Sequence, residues 1–494
     1  MDKTQIDRLR NAQIAPMSHV IDGERCDASD AGVMDVISPL NGQVLTTIAA
    51  GTPEDVERAV RAARSAFEDA RWAGLAPATR KKTMLAWADL IEENALELAV
   101  LGVRDNGTEI GMALKAEPLS AAQTIRYYAE AIDKLNGEIA PTDPTILAMV
   151  HREPVGVVGA IVPWNFPMMI GAWKIAPALA AGNSVVLKPA ETASLTLVRM
   201  AELALEAGLP AGVFNVVTGA GPVVGEALGL SMDVDVLVFT GSGGVGRRLL
   251  EYAARSNLKR VYLELGGKSP NIVFADAPDL QEAAKVSAAG IFRNSGQVCV
   301  AGSRLLVERS IHDEFVAALV DYADAIKVGD PLDPAVEAGA INSARQLEQN
   351  LSFVEGARAL GRDVRTGGRQ ILQDTGGFFM APTVVSGVAP GDRIARDEVF
   401  GPVLAVIPFD DEEHAIELAN DSDFGLAAAV WTANLSRAHR CLRRIRAGVV
   451  HVNTYGGADG TVPLGGVKQS GNGHDKSLHA FDKYFDLKTA WIKL

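Results

Sequence analysis

Cysteine is scarce in this chain. There are three in 494 residues, Cys26, Cys299 and Cys441, far apart in the sequence. An odd, sparse set excludes a disulfide framework and cysteine-based metal spacing, and predicts a reducing cytoplasm. The eight histidines form no ligand pattern either. No metal is expected, and His151, His312, His414, His451 and His474 are read as surface or core residues. Positive charge is in deficit: 47 Lys and Arg against 61 Asp and Glu leave a net −14. That balance argues against nucleic acid and anionic membranes as partners. Long apolar runs are almost absent. The exception, Val155 to Trp173, is interrupted by Asn165, and Pro163 and Pro167 break any spanning helix there. The first residues, Met1 to Asp7, are charged and show no signal-peptide apolar core. No repeat or low-complexity tract appears.

What remains is the composition of a soluble globular protein. The chain is 48% hydrophobic and 22% charged, enough to bury a large core, and its length suggests about three domains. Thr52-Pro53-Glu54-Asp55 reads as a helix start, with a cap, a proline in the first turn and early acids. Val56, Ala59, Val60, Ala63 and Phe67 follow as one apolar stripe.

From about residue 155 the pattern alternates strand and helix. Strands are predicted at Val155–Val162, Ser184–Leu187, Val213–Val217, Val236–Phe239 and Val261–Glu264, with helices between them such as Leu195–Ala207. A second series begins near Pro270. Its strands are Asn271–Phe274, Arg304–Val307, Leu404–Ile407, Ala427–Trp431 and Val449–Val452; its helices are Leu280–Phe292, Ile311–Ala325 and Glu412–Asn420. Short apolar strands alternating with helices predict an α/β fold with parallel, doubly wound sheets. Ligands in such sheets bind at the carboxyl ends of the strands.

Several motifs carry chemistry. Gly241-Ser242-Gly243-Gly244-Val245-Gly246 follows a predicted strand and opens a helix, as a dinucleotide fingerprint does; the alternative is a flexible turn. Gly219, Gly221 and Gly225 form a looser set, mostly turn chemistry with adenine-side contact open to it. Lys188-Pro189-Ala190-Glu191 follows another strand. Its carboxylate suits ribose hydroxyls and repels a 2′-phosphate, although a solvated loop pair explains it as well. Cys299 lies in a polar loop between Gly296 and Gly302, after Asn294-Ser295-Gly296-Gln297. A free cysteine is ordinarily a small buried hydrophobe. Glu264, beside Gly266-Gly267, has a salt bridge as its plain reading, and Asn165, between two prolines, has a turn. Together they supply a nucleophile, a base and an amide donor for chemistry at a carbonyl carbon. Cys299 and Glu264 belong to different predicted series, so they are expected to meet across a cleft between domains.

These residues resemble the aldehyde dehydrogenase superfamily from about residue 35 onward. The motifs are Pro163–Pro167, Lys188–Glu191, Phe239–Ser242, Leu263–Lys268, Gly296–Cys299, Glu398–Pro402 and Pro463–Gly471. The resemblance implies a Rossmann-like cofactor domain over 1–135 and 155–265. It also implies a second α/β catalytic domain over 266–470 and a small β oligomerisation and bridging segment over 136–154 and 471–494. Cys299 would be the nucleophile and Glu264 the base for thioester hydrolysis. The Asn165 amide and the Cys299 backbone N–H would form an oxyanion hole, and Lys174 with Asp475 a proton relay. Trp164 and Ser242 would meet the cofactor pyrophosphate, Lys188 and Glu191 its ribose, Glu398 and Phe400 its nicotinamide side. Phe239, Gly241, Gly246, Leu265, Gly221 and Gly225 complete the cofactor set. Phe166, Trp173, Val298, Val300 and Leu464 would wall the substrate pocket.

The implied activity is oxidation of an aldehyde to its acid, with NAD as cofactor and NADP less favoured, in a cytoplasmic homodimer or homotetramer. The presence of Glu264 favours hydrolysis over a coenzyme A-dependent route. Gly471–Ala480 resembles a bacterial branch acting on γ-glutamyl-γ-aminobutyraldehyde and related aminoaldehydes of polyamine catabolism; a broad-specificity aldehyde dehydrogenase is the alternative. Asp459 is placed to attract a cationic substrate end, or is a plain surface acid. Three departures from the usual pattern stand out: Gly243-Gly244 for Thr-Glu, Leu464 for an aromatic, and His474-Asp475 for Arg-Glu. A cysteine esterase or thioesterase using Cys299 and Asn165 is the rival of a different class, and it leaves the glycine turn at 241–246 without a purpose.

Overall fold

A computed structural model describes residues 3–457 and 459–494. Two seven-stranded sheets and a three-stranded arm organise the chain. The first sheet runs in the order Arg260–Glu264, Val236–Thr240, Val157–Ile161, Ser184–Lys188, Phe214–Val216, His19–Ile21, Glu24–Cys26. Its first five strands are parallel and the last two antiparallel. Val157–Ile161, Ser184–Lys188 and Val236–Thr240 are buried along their whole length. Burial on both faces is why these strands read as unbroken apolar runs.

The second sheet runs Asp363–Thr366, Thr383–Ser386, Val403–Phe409, Arg304–Glu308, Pro270–Val273, Ala427–Trp431, Val449–Val452. It is parallel except for its first edge strand. Thr240 and Leu265, at carboxyl ends of first-sheet strands, border one cavity, and Ala427 and Val449, at amino ends of second-sheet strands, border another, so only the first sheet places a ligand cleft at its carboxyl ends.

The helix Pro53–Glu68 starts at Thr52, whose side chain and the Asp55 carboxylate cap each other's backbone N–H, so this end leaves few orphan donors. Helices Pro77–Glu93, Ala95–Asn106 and Ser120–Ala131 add a layer that the sequence pattern did not announce. Pro77–Glu93 packs on Ser120–Ala131, which in turn packs on Pro167–Ala181.

The arm pairs Phe485–Lys493 with Ile146–Pro154, and that strand with Glu138–Ala140. Of 471–494, only Phe485–Lys493 joins the arm sheet. The stretch before it packs inward: Tyr128 Oη donates to the Ser477 carbonyl at 3.0 Å, and Phe481 stacks edge-on to Tyr128. The early chain also spans both units. Phe378 N–H donates to Pro39 O at 3.0 Å and Ile110 N–H to Pro331 O at 2.7 Å. No described helix is long and apolar enough to cross a membrane.

Candidate active site

The helix Leu280–Phe292 ends in a tight left-handed run. Asn294, Ser295 and Gly296 have φ of 48°, 51° and 72°. Two of these carry side chains, so the conformation must be held from outside. Thr108 Oγ1 donates to Asn294 Oδ1 at 2.9 Å, Ser295 Oγ to Gly339 O at 2.8 Å, and Asn342 N–H to Gln297 Oε1 at 2.8 Å. A Cβ on Gly296 would sit 2.1 Å from the Gly401 carbonyl, so only glycine admits this approach. The run delivers Cys299, which keeps part of its surface open. Burial of the sulfur, reinforced by the charges of Glu264 and Glu398, pushes the thiol up to about 12. The resting group is therefore a neutral thiol. The acidic, enclosed surroundings reverse the usual activation of a cysteine.

Glu264 ends its strand and is 3% exposed. The backbone around it is gripped by a distant segment. Leu265 N–H donates to Ser470 O at 2.9 Å, Asn472 N–H to Leu263 O at 2.9 Å, and Leu263 N–H to Asn472 Oδ1 at 2.7 Å. Glu264 Oε1 has no hydrogen-bond partner among the described residues. Burial and then the Asp475 charge push its carboxyl up to about 8, with Lys174 and Lys483 opposing. Asp475 is ion-paired to both lysines in the interior. Burial works to raise the Asp475 carboxyl, but these two ammonium groups hold it below its ordinary value. Burial brings Lys483 down to about 8.

Asn165 follows the strand Val157–Ile161, in the turn before Pro167 opens a buried helix. One hydrogen of its amide is given to Gln297 O at 2.9 Å; the group carries a second. The helix N-terminus is fixed by Glu117, whose Oε2 accepts from Met168 N–H at 2.8 Å and Met169 N–H at 3.0 Å. Burial pushes Glu117 up to about 8.

Cys299 faces two cavities. The first is lined by Trp164, Asn165, Gly241, Ser242, Leu265, Glu398 and Phe400. Phe400 has φ +56° and meets the Trp164 ring edge-on, centroids 5.2 Å apart. Gln346, which pattern reading missed, holds that bend by donating to Val399 O and Phe400 O at 3.1 and 3.2 Å. Glu398 accepts from Gly267 N–H at 3.0 Å, and burial pushes it up to about 7. The helix Gly243–Arg255 starts at Ser242. A Cβ on Gly244 would meet nothing within 4 Å, so the helix N-terminus is open to an anion. Lys188 Nζ lies 2.8 Å from Glu191 Oε2. Burial opposes it, yet the Lys188 ammonium holds the Glu191 carboxyl below its ordinary value. An open N-terminus, a ribose-type carboxylate and a flat aromatic corner fit a dinucleotide. Phe239 and Gly246 lie beneath this cleft. The Phe239 ring fills the space a Cβ on Gly241 would take, and Gly246 gives room to Leu265. Gly221 and Gly225 bound a short π-turn behind Lys188 and Ile161.

The second cavity has apolar walls: Phe166, Trp173, Val298, Val300 and Leu464. It also exposes Arg293, His451 and Lys476, none of which sequence reasoning singled out as site residues. His451 is corrected from a surface or core residue to a wall of this cavity. Asp459 is not among the residues that share a cavity with the thiol. It lines an adjoining pocket and accepts from Thr461 N–H and Oγ1 at 2.8 and 2.7 Å. The available signal was position: Arg293 directly precedes the thiol loop, and Lys476 directly follows Asp475.

A thiol shared by a dinucleotide-type cleft and an apolar tunnel suits a cofactor-dependent oxidoreductase. The aldehyde dehydrogenase family model matches residues 26–490, and the chain belongs to that family. The NADP/NAD-dependent aldehyde dehydrogenase PuuC of Escherichia coli is 51% identical over 96% of this chain and 95% of its own. The Pseudomonas syringae indole-3-acetaldehyde dehydrogenase AldA, solved with NAD+ and IAA, is 52% identical, with a TM-score of 0.98 over 100% of both chains. A γ-glutamyl-γ-aminobutyraldehyde dehydrogenase from Burkholderia cenocepacia is 51% identical, with a TM-score of 0.98 over 100% of both chains. The activity is the NAD-dependent oxidation of an aldehyde.

Proposed function

We propose that Cys299 is the nucleophile of this oxidation and Glu264 its base, acting on an amino-substituted aldehyde such as γ-glutamyl-γ-aminobutyraldehyde. One observation carries the roles: Cys299 alone among the thiols opens onto both cavities, and the charge of the buried Glu264 carboxyl, whose Oε1 has no hydrogen-bond partner among the described residues, acts on it. Cys299 Sγ attacks the aldehyde carbon once its proton has passed to water, so that Glu264 is kept for the later hydrolysis. The oxyanion that forms is met by the second Asn165 N–H and the Cys299 backbone N–H; losing one such donor costs about 10²–10³ in rate. When bound, NAD supplies the hydride acceptor that turns the thiohemiacetal into a thioester. Trp164, Ser242 and the open end of Gly243–Arg255 hold its phosphates, Lys188 and Glu191 its ribose, and Glu398 and Phe400 the reacting end. Glu264 then takes a proton from water, the water attacks the thioester, and the acid leaves with the thiol restored. Lys174 and Asp475 carry protons away from Glu264.

The substrate class is supported by the likeness to the Burkholderia γ-glutamyl-γ-aminobutyraldehyde dehydrogenase. A homo-oligomer is supported by the arm, where Ile139, Leu487 and Trp491 are 75%, 66% and 64% exposed; such an edge calls for a partner. Three free cysteines suit a reducing cytoplasm. The direct test is Cys299→Ala. Formation of reduced cofactor should vanish while NAD binding, followed by calorimetry, persists. Continued turnover would remove the sulfur from the chemistry, and cofactor-independent ester cleavage by the unmodified protein without aldehyde oxidation would favour the hydrolase reading.

A further inference from the structure

The tunnel beyond the thiol carries charge of the sign opposite to that of the chain as a whole. The chain has a net charge of −14, yet no Asp or Glu is among the described residues lining this cavity, while Arg293 and Lys476 both are. Arg293 makes no hydrogen bond or ion pair with any described side chain or carbonyl. Its guanidinium lies against Gly456, where a Cβ would come within 2.9 Å of Nη1 and 3.1 Å of Nη2. Gly456 has φ +79°, so a glycine there both permits the turn and leaves a seat for the flat cation. The Lys476 ammonium sits 4.9 Å from the centroid of the Trp173 ring, a cation–π contact that holds it over the tunnel wall.

Three acids, Glu109, Asp459 and Asp475, lie near these cations without lining the tunnel. Glu109 is 5% exposed and accepts from Asn294 N–H at 3.2 Å; burial pushes its carboxyl up to about 7, with Arg293 opposing. Asp459 is exposed and bound to Thr461. Asp475 is ion-paired to Lys174 and Lys483, and none of the three acids forms an ion pair with Arg293.

We propose that the tunnel selects aldehydes whose far end carries a carboxylate, with Arg293 as the anchoring residue and Lys476 as a second cation. A guanidinium on an apolar wall, with its fork unoccupied, matches a carboxylate in shape and charge. A substrate ending in a bare ammonium would meet two like charges. Among amino-substituted aldehydes, those whose nitrogen is acylated, or whose positive charge is balanced by a terminal carboxylate, are therefore favoured. This rests on the aldehyde dehydrogenase reading and narrows its substrate.

The test uses the full chain with NAD and straight-chain ω-oxo acids of increasing length, each compared with its methyl ester and with the aldehyde bearing a terminal trimethylammonium group. The readout is the ratio of kcat/KM for acid over ester, in which common effects on turnover cancel. At the best length the acid should lead its ester by about tenfold or more, chiefly through KM. The trimethylammonium aldehyde should rank last. Arg293→Met should bring the ratio near unity, and Arg293→Lys should restore part of it. A ratio near unity in the unmodified protein, a ratio that survives Arg293→Met, or a lead for the trimethylammonium aldehyde would overturn the proposal. The first of these needs no variant to fold. Failure to oxidise any of these aldehydes, or hexanal, would instead strike the aldehyde-oxidising function itself.

Discussion

Replacing Glu264 with Gln keeps the shape of a buried residue and removes one titrating proton. In the unmodified protein that carboxyl is pushed up to about 8 by burial and the Asp475 charge. A raised acid is mostly neutral at pH 7 and ionises as pH rises through 8. Only the ionised form accepts a proton from water. The ionised fraction is about 0.1 at pH 7 and about 0.9 at pH 9, so a turnover limited by thioester hydrolysis should climb about tenfold between them. Glu264→Gln should remove that slope and lower steady-state turnover by about 10²–10⁴, the usual worth of a positioned base. The initial burst of reduced cofactor should remain near one per active site, because hydride loss precedes hydrolysis. Stopped-flow absorbance at several pH values, with steady-state rates beside it, reads both quantities. Loss of the burst in a folded variant would place Glu264 before hydride transfer. Persistence of the slope near pH 8 would assign the titration to another group.

Asp475→Asn should strand two buried lysines and lower stability by about 3–5 kcal/mol, seen as a drop in Tm. Because it also removes the charge that repels an ionised Glu264, the steady-state pH midpoint should move below 8; an unchanged midpoint would disconnect the two groups. Glu191→Gln should raise NADP use relative to NAD by about tenfold, roughly 1.4 kcal/mol, and equal ratios before and after would exclude Glu191 from ribose recognition. Trp491→Glu places a charge on the exposed arm and should shift sedimentation toward the monomer; an unaltered profile would move the interface elsewhere.

Much of the scaffold was readable from pattern. Ala427–Trp431, Val449–Val452, Leu280–Phe292 and Glu412–Asn420 occur over the ranges expected. The strand expected at Val155–Val162 is shorter, Val157–Ile161. Gly156 takes φ +127° and a Cβ on it would strike the Asp235 carboxylate, so the chain bends before the ladder begins. Buried parallel strands between glycines and prolines are legible because both faces demand apolar residues. The tunnel was less so. Its walls come from segments near 112–120, 166–173, 293–300, 449–464 and 476, and no periodicity states which loops close over one another. Leu464 and Trp173 were reached by resemblance, whereas Arg293, where this chain carries a charge, was passed over. Glu117 escaped for another reason. Its role is to accept two N–H groups of a helix 50 residues later, and a lone glutamate in a helical stretch carries no mark of that. The ionisation state of Cys299 was invisible too, because it depends on what surrounds the sulfur rather than on its neighbours in sequence.

The grip of residues 470–472 on the strand bearing Glu264 sets an order of events during synthesis. Ser470 and Gly266 are linked by a hydrogen bond across 204 residues. At about 5–20 residues per second, a ribosome takes on the order of 10–40 s to make that interval. Until it has done so, the Glu264 strand is paired only with Val236–Thr240, and its neighbour Asp475 does not yet exist. A nascent chain can fold its dinucleotide-type sheet early and still be chemically inert. The site is therefore completed only when the contacts of residues 470–472 have formed.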